Sequence, residues 1–389
     1  MALKDKKAQR IQSLPPYLFA EIDRLKREVA ARGVDLINLG IGDPDTPTPP
    51  HIVARLRDAA GDPKNHRYPD YEGLPSFRQA AADWMQRGYG VRLDPATEVV
   101  SLIGSKEGIA NMAVAFVDPD DVVLVPDPGY PVYHIGTSFN GGVTWRMPLR
   151  RENAFLPDLA AIPAEVARRA KLLWLNYPNN PTAAVAPRSF FEEAVRFAAR
   201  HGIILCHDAA YAEIYFGERP PSVLEIPGGR EVAIEFHSLS KSFSMTGWRI
   251  GFAVGHPELI AGLGKVKTNV DSGVFQAVQE AAIAALTGDP GVVERLRAMY
   301  RDRRDVLVSG LGAVGLPCDP PAGTFYVWVP VPRGLTAAEL ATRCLSEVGV
   351  VVTPGNGFGE AGEGYIRLTL CSPVERLREA VERLRRLRL

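Results

Sequence analysis

Residues 171–208 read KLLWLNYPNNPTAAVAPRSFFEEAVRFAARHGIILCHD and determine the fold class of this chain. The apolar runs at 171–175 and 203–206 are typical of buried strands. Between them, residues 187–201 place a series of apolar side chains on one helical face: Phe190, Phe191, Ala194, Val195 and Ala198. A strand, a helix and a strand in this order predict a right-handed βαβ unit of a parallel sheet.

Apolar runs of the same kind occur on both sides of this unit. They lie at 97–103, 121–125, 142–147, 232–236 and 249–254. Together with the helical patterns between them, they predict an α/β fold with a mostly parallel, doubly wound sheet. We expect the strand at 249–254 to run against the others.

The pattern changes after Gly255. Helical stretches are predicted at about 256–287 and 290–313, and strands then alternate with helices up to an Arg-rich terminal helix. This arrangement favours a second, smaller α+β domain. The predicted parts of the chain are an N-terminal segment that packs with the small domain (1–47), a large cofactor-binding domain (48–287) and the small domain itself (288–389).

The composition argues against several classes of protein. The chain has 389 residues and a mass of 42.4 kDa, which allows a full core and about two domains. Lys and Arg total 45, as do Asp and Glu, so a formal charge of zero gives no reason to expect nucleic acid or a membrane as partner. The apolar runs are too short to span a membrane and no signal peptide is apparent, so we expect a cytoplasmic protein. The spacing of the Cys and His residues indicates neither a metal site nor a disulfide framework.

Polar clusters follow several of the predicted strands, at the positions where open parallel sheets bind ligands. In IGSKEG (103–108), the backbone of Ser105 and the side chain of Lys106 can bind an anion at a helix N-terminus, although an ordinary helix cap has the same pattern. In DPGYP (127–131), a turn presents Tyr130, whose ring either stacks on a planar ligand or covers the edge of the core.

The next two clusters follow the strands of the βαβ unit itself. In NYPNNPT (176–182), Asn180 precedes a proline, which holds its backbone extended and aims its amide, whereas the other Asn residues fit ordinary turn formers. Asp208 directly follows a buried strand, where a carboxylate needs a cation or hydrogen-bond donors, unless it caps a helix. Tyr211 can point to the same site.

Residues 237–252 read HSLSKSFSMTGWRIGF, a set of hydroxyls, an amine and a guanidinium that can hold a phosphate and supply a nucleophile. Ser238 and Lys241 also match the S-x-x-K of Ser–Lys acyl enzymes, but the motifs that accompany it there are missing. Arg367 lies in a predicted strand, where it is either exposed or a clamp for a carboxylate. GFGEAG (357–362) has the spacing of a dinucleotide fingerprint but precedes a strand, so we interpret it as a flexible loop.

The clusters together supply an amine, a carboxylate, a phosphate cradle, an aromatic ring, an amide and a phenol. Pyridoxal phosphate uses all of these, because it needs a Lys Schiff base, an acid facing its ring nitrogen and a phosphate site. Once the substrate has displaced the lysine, the freed amine is the natural base for moving the substrate's α-proton.

The motifs DPGYP, NNPT, DAAY and SLSKSFSMTGWRIG resemble those of the class I and II aminotransferases of the type I pyridoxal-phosphate fold, over nearly the whole chain and in that family's order. The resemblance implies the following cofactor-binding residues: Ser105, Lys106, Tyr130, Asn180, Asp208, Tyr211, Ser238, Ser240, Lys241 and Arg249. It implies a homodimer with shared active sites, in which Tyr68 reaches the neighbouring subunit's phosphate site. The implied substrate-binding residues are Tyr17, Gly42, Lys106, Tyr130, Asn180 and Arg367.

The resemblance also assigns catalytic roles. Lys241 is the implied Schiff-base lysine, Asp208 faces the pyridinium nitrogen, and Tyr211 lies at the ring hydroxyl with Asn180. Ala183 stands where many relatives have a glycine after NNPT, and no chemistry-bearing position is affected.

Within the family, residues 13–45 are similar to the bacterial LL-diaminopimelate aminotransferases. This similarity implies transfer of an amino group between LL-2,6-diaminopimelate and 2-oxoglutarate, on the route to lysine; the tetrahydrodipicolinate and glutamate pair is the other side of that reaction. A broad-specificity aspartate or alanine aminotransferase is the alternative. A pyridoxal-phosphate β-lyase would share the cofactor, whereas a transcription regulator would need a DNA-binding module, and fewer than about fifty residues precede the Pro-rich bend at 43–50.

Overall fold

The structure is a computed structural model that describes residues 6–12, 14 and 18–387, with the backbone alone at 18–23. Its strands are β1 (Ile37–Asn38), β2 (Val99–Leu102), β3 (Val122–Asp127), β4 (Val143–Pro148), β5 (Ala170–Asn176), β6 (Ile204–Asp208), β7 (Ala233–Ser238), β8 (Gly251–Gly255), β9 (Tyr326–Pro330), β10 (Val350–Val351), β11 (Thr353–Pro354) and β12 (Tyr365–Thr369). Its helices are α1 (Gln9–Gln12), α2 (Leu18–Ala31), α3 (Pro50–Ala60), α4 (Pro75–Tyr89), α5 (Ser105–Phe116), α6 (Val132–Phe139), α7 (Ala164–Arg169), α8 (Arg188–His201), α9 (Gly229–Val232), α10 (Leu239–Ser242), α11 (Pro257–Val270), α12 (Gln276–Thr287), α13 (Gly291–Ala313), α14 (Ala337–Val348) and α15 (Val374–Leu384). Among the described residues, no helix combines the length and apolar character needed to pass through a bilayer.

The large sheet is mostly parallel. As described within residues 99–255, it has seven strands in the order β2-β8-β7-β6-β5-β3-β4. The strands from β3 to β7 pair in parallel, and β8 runs antiparallel to both of its neighbours, β2 and β7. The predicted doubly wound α/β sheet and its reversed last strand are therefore confirmed.

The βαβ unit at the centre of the sheet forms as its sequence pattern predicts. Helix α8 buries its predicted apolar face, and it ends at Gly202, which has a left-handed φ of 66°. Strands β5 and β6 pair in register, so that Asn176 lies beside Asp208 at their carboxyl ends. Strand order reverses between β5 and β3, which opens a crevice at the same edge of the sheet.

One predicted helix is divided in two. The stretch at 256–287 forms α11 and α12, which are separated by a turn at 271–275. Gly273 has a φ of 81° and its amide donates to the side chain of Asp271, so the chain leaves the helix there. The apolar periodicity continues across the turn, and for that reason the sequence pattern alone predicts a single helix.

The C-terminal part of the chain builds a second layer around the antiparallel sheet β11-β12-β9. Residues from the N-terminal side join this layer, because β1 pairs in parallel with β10 and Asp35 forms ion pairs with Arg376 and Arg383. Apolar side chains of β1, β9, β12, α13, α14 and α15 share one core there. The division of the chain into a large and a small domain stays a prediction.

Candidate active site

A cavity of about 460 Å³ lies between the carboxyl ends of the large sheet and the second layer. Most of the predicted site residues line it. They are Gly42, Ser105, Lys106, Tyr130, Asn180, Asp208, Tyr211, Ser238, Lys241 and Arg367. Residues from sequence motifs that are spread over more than 300 positions therefore line a single cavity.

Lys241 lies on the short helix α10, directly after strand β7. Its Nζ donates to the backbone oxygen of Gly42 over 3.0 Å, and it lies 5.6 Å from the centroid of the Phe325 ring. Burial lowers the pKa of the Lys241 amine, because the charged form is poorly solvated there. A lowered pKa makes the neutral, nucleophilic form of the amine more available.

Asp208 ends strand β6 and is buried at the floor of the cavity. Its carboxylate accepts hydrogen bonds from the hydroxyl of Tyr133 over 2.7 Å and from the amide of Ala210 over 3.2 Å. Burial raises the pKa of Asp208, while these hydrogen bonds oppose the rise. Because both donors are neutral, a cation in the cavity would stabilise the ionised carboxylate.

The loop after strand β5 is held by its own asparagines. The Asn176 side chain donates to the backbone oxygen of Asp208 over 2.7 Å and accepts from the amide of Asn180 over 2.8 Å. Asn179 accepts from the backbone and side chain of Thr182, as expected of a turn former. This bracing directs the Asn180 amide into the cavity, where its Oδ1 accepts from Arg367 over 2.7 Å.

Arg367 is a buried side chain in strand β12, which excludes the reading as an exposed strand residue. Its guanidinium donates to the backbone oxygen of Gly40 over 2.7 Å and lies 4.1 Å and 4.6 Å from the ring centroids of Tyr326 and Phe358. In the described part of the chain, its Nε has no hydrogen-bond partner. A buried guanidinium with neutral partners is suited to an anionic ligand such as a carboxylate.

Tyr211 and Tyr326 close the cavity beside this arginine. Their hydroxyl oxygens are 3.0 Å apart and hydrogen-bonded. The backbone of Gly42 approaches Tyr326 so closely that a Cβ at Gly42 would overlap the Tyr326 hydroxyl. A glycine is therefore required where the N-terminal segment crosses the cavity.

The anion-binding end is built around the N-terminus of helix α5, which begins at Ser105. Gly104, which precedes it, has a φ of 73°, and a Cβ there would overlap the guanidinium of Arg249. Arg249 packs beside the cavity and Ser240 is buried behind it, so neither lines the cavity surface itself. The N-terminus of α5 and the nearby Arg249 are suited to bind an anion such as a phosphate.

Two predicted residues lie elsewhere. Tyr68 is 85% exposed and does not line the cavity, so its role toward a neighbouring subunit stays a prediction. Tyr17 lies outside the described residues.

Tyr133, Tyr326 and Phe358 are among the side chains of the site that no sequence motif indicated. Tyr133 lies in the first turn of α6, three residues after Tyr130 of the preceding turn, and the two rings are in contact with centroids 5.9 Å apart. Tyr326 lies in a strand that is buried on both faces, where no alternation distinguishes a site residue. Phe358 belongs to the GFGEAG loop, which lies close to the end of strand β3, since a Cβ on Gly359 would overlap the Asp127 side chain.

These residues fit pyridoxal phosphate. Asp208 is a buried carboxylate, and among the described residues no cation donates a hydrogen bond to it. Lys241 has an amine whose pKa is lowered by burial. Ser105 begins a helix beside Arg249. The acid, the amine and the phosphate cradle are the three groups that this cofactor needs.

Comparisons with known proteins agree with this arrangement. The sequence profile described as "Aminotransferase class I and II" matches residues 34–384. The chain is 57% identical to an LL-diaminopimelate aminotransferase of Syntrophobacter fumaroxidans, covering 98% of both chains, and 57% identical to one of Moorella thermoacetica, covering 97% of both. Among solved structures, it is similar to apo-BacF from Bacillus subtilis, with a TM-score of 0.96, 40% identity and 98% of both chains covered. It is also similar to a variant of Thermus thermophilus aspartate aminotransferase, with a TM-score of 0.92, 33% identity and 98% of this chain and 99% of that chain covered.

Proposed function

This chain belongs to the class I and II aminotransferases, and we propose that it transfers an amino group between LL-2,6-diaminopimelate and 2-oxoglutarate. The observation that carries the assignment of the reaction is the meeting of Lys241, Asp208 and Arg367 in one cavity. The choice of substrate is supported by relatives of that name that are 55–57% identical over nearly the full chain.

The class and its fold depend on pyridoxal phosphate. We propose that the phosphate is held by Ser105, Lys106, Ser238, Ser240 and Arg249. We further propose that the ring is held by Tyr130, Asn180, Asp208, Tyr211 and Lys241. When bound, the cofactor supplies an electron sink for the pair released at the substrate's α-carbon.

The residues of the chain supply the proton chemistry. We propose that ionised Asp208 keeps the ring nitrogen protonated, with Tyr133 and Ala210 fixing the orientation of the carboxylate. Lys241 then moves a proton from and to the α-carbon, and burial, which lowers the pKa of the amine, makes its proton-accepting form more available. Tyr211 orients the ring through its hydroxyl, which is itself held by Tyr326.

The substrate is proposed to be held at its α-carboxylate by Arg367. That carboxylate would satisfy the guanidinium Nε, which has no partner within the described residues. The further proposed substrate-binding residues are Tyr17, Gly42, Lys106, Tyr130 and Asn180. LL-diaminopimelate and glutamate each carry a second carboxylate. The amine of Lys106 in the cavity wall could pair with that carboxylate in either amino acid.

We also propose a cytoplasmic homodimer with shared active sites. Tyr68, 85% exposed, lies in a loop that contacts the start of α12, because the Gln276 side chain donates to the backbone oxygen of Arg67. Val270 and Phe275, at the ends of that turn, are also exposed. An apolar surface around Tyr68 suits contact with a second copy of the chain.

The proposal is tested by following the visible absorption of the protein supplied with pyridoxal phosphate. We expect LL-diaminopimelate to remove the band of the bound cofactor and 2-oxoglutarate to restore it, with glutamate released mole for mole. A Lys241→Ala variant serves as the control and releases no glutamate. A band that responds to aspartate or alanine, and not to LL-diaminopimelate, would leave the family intact and overturn the proposed substrate.

A further inference from the structure

A buried charged cluster lies behind the cavity, and the proposed reaction makes no use of it. It consists of His207, Glu235 and His237, whose exposed fractions are 1%, 1% and 4%. His207 and Glu235 are paired residues of the neighbouring strands β6 and β7, so their side chains share one face of the sheet. Asp208, which follows His207, points to the opposite face, because side chains alternate along a strand.

The hydrogen bonds determine where the protons of this cluster lie. The Nε2 of His207 is 3.0 Å from the backbone oxygen of Tyr177, which only accepts, so this nitrogen carries a proton. The Nδ1 of His207 is 2.8 Å from Oε2 of Glu235. That contact also needs a proton, which belongs either to the imidazole or to the carboxyl group.

The surroundings of Glu235 place that proton on His207. The Glu235 carboxylate accepts further hydrogen bonds from the hydroxyl of Ser222, the amide of Val223 and Nε2 of His237, at 2.7–3.0 Å. Burial opposes ionisation, but the hydrogen bonds from His207 and His237 hold the pKa of Glu235 well below its ordinary value. These hydrogen bonds favour a carboxylate at Glu235 and a proton on both nitrogens of His207.

The cluster ties together the strand ends that carry the proposed cofactor-binding residues. Through Tyr177, His207 holds the loop that bears Asn180, and Asn176 of the same loop holds the backbone of Asp208 from the other side. Glu235 connects β6 to β7, three residues before Ser238.

Other ionisable groups also face the cluster. Tyr89 packs against the ring of His237, and its hydroxyl donates to Glu213. Arg219 lies over the Tyr89 ring and Arg297 pairs with Glu213, so both reach the cluster only through these residues. A positive charge on His207 or His237 would favour the ionised form of Asp208. Because the Glu235 carboxylate pairs with such a charge, burying it costs less free energy than burying an unpaired cation.

We propose that His207, Glu235 and His237 are positioning residues, a buried imidazolium–carboxylate brace that fixes the ends of β5, β6 and β7 and keeps Asp208 ready to pair with a cationic ring. The inference rests on the proposed cofactor site, but it does not depend on which amino acid is the substrate. None of the three side chains lines the cavity, so each acts through Asn180, Asp208 or Ser238.

Nitrogen-detected NMR of histidine in the intact enzyme tests the protonation. We expect both nitrogens of His207 to carry protons, because each of them contacts an oxygen that accepts a hydrogen bond. Glu235→Gln keeps the shape of the side chain and removes its charge, and it should make His207 neutral. A neutral His207 in the wild-type enzyme would overturn the brace, whatever the fate of the variant.

Cofactor dissociation tests the positioning role. We expect Glu235→Gln to raise the dissociation constant of pyridoxal phosphate by about tenfold or more, by analogy with the losses of ~10–100-fold that follow removal of groups orienting metal ligands. Ser222→Ala, which removes one donor and no charge, should raise it less and covers the case in which Glu235→Gln does not fold. Leu205→Val, on the same face of β6, is the control that loses packing without altering charge.

If Glu235→Gln lowered thermal stability as Leu205→Val does and left the dissociation constant unchanged, the cluster would be merely structural. A failed diaminopimelate assay with both cluster results as expected would instead overturn the proposed substrate alone.

Discussion

Tyr133→Phe removes the hydroxyl that donates to Asp208, and it should weaken cofactor binding. The bond is 2.7 Å long and buried, and its acceptor is a charged group. A hydrogen bond to a charged group contributes about 1.5–3 kcal/mol. At about 1.4 kcal/mol for each tenfold change, the dissociation constant of pyridoxal phosphate should rise about 10- to 150-fold.

The same change should shift the pH dependence of binding. Burial already raises the pKa of Asp208, and the Tyr133 hydroxyl opposes this rise. Without the hydroxyl the pKa rises further, so the ionised carboxylate that pairs with a protonated ring is lost at a higher pH on acidification. Affinity in the variant should therefore decline at a higher pH than in the wild type.

Both effects can be measured by titrating the apoenzyme with cofactor at a series of pH values and following the visible absorption. Tyr177→Phe is the matched control: it also loses one buried hydrogen bond, to the backbone oxygen of Phe155 over 2.7 Å, but no contact with Asp208. We expect that control to lose about 1 kcal/mol of stability and to bind the cofactor normally. Wild-type affinity at every pH in Tyr133→Phe would refute the role given to the hydroxyl.

Three further predictions follow from the site geometry. Arg367→Lys keeps the positive charge but loses the planar guanidinium, which can donate two parallel hydrogen bonds to a carboxylate. In steady-state assays, kcat/KM for amino-acid substrates should fall at least about 30-fold, or ~2 kcal/mol. An unchanged kcat/KM would contradict the proposed binding of the substrate carboxylate by Arg367. Lys241→Met should raise the thermal midpoint of the apoenzyme near neutral pH, because burial lowers the pKa of the amine, and calorimetry should show this gain vanishing toward the ordinary Lys pKa of ~10.4. Gly104→Ala places a Cβ against Arg249 at a positive φ and should cost roughly 1–2 kcal/mol of stability as well as cofactor affinity, whereas Gly247→Ala, in open space, should change neither.

Local sequence patterns were sufficient where chemistry and secondary structure coincide. The strands β5 and β6, the helix α8 and the reversed β8 all follow from apolar periodicity and from turn residues next to it. Lys241 and Asp208 stand at strand ends, where a polar residue after an apolar run is conspicuous. Each of these features is encoded within a few residues of the chain.

Contacts between distant segments were decided by the tertiary structure. Tyr133 meets Asp208 across 75 positions, and Arg367 meets the backbone of Gly40 across 327. The pairing of His207 with Glu235 depends on the parallel register of β6 and β7, which no local pattern encodes.

Apolar periodicity and turn composition are local properties of the chain, and they were sufficient to predict Lys241 and Asp208 at the carboxyl ends of a doubly wound sheet. The neighbours that set the charge and orientation of these two groups come from tertiary contacts. Burial and hydrogen bonding depend on every segment that folds over a group, and for Asp208 and Lys241 those segments come from distant parts of the chain.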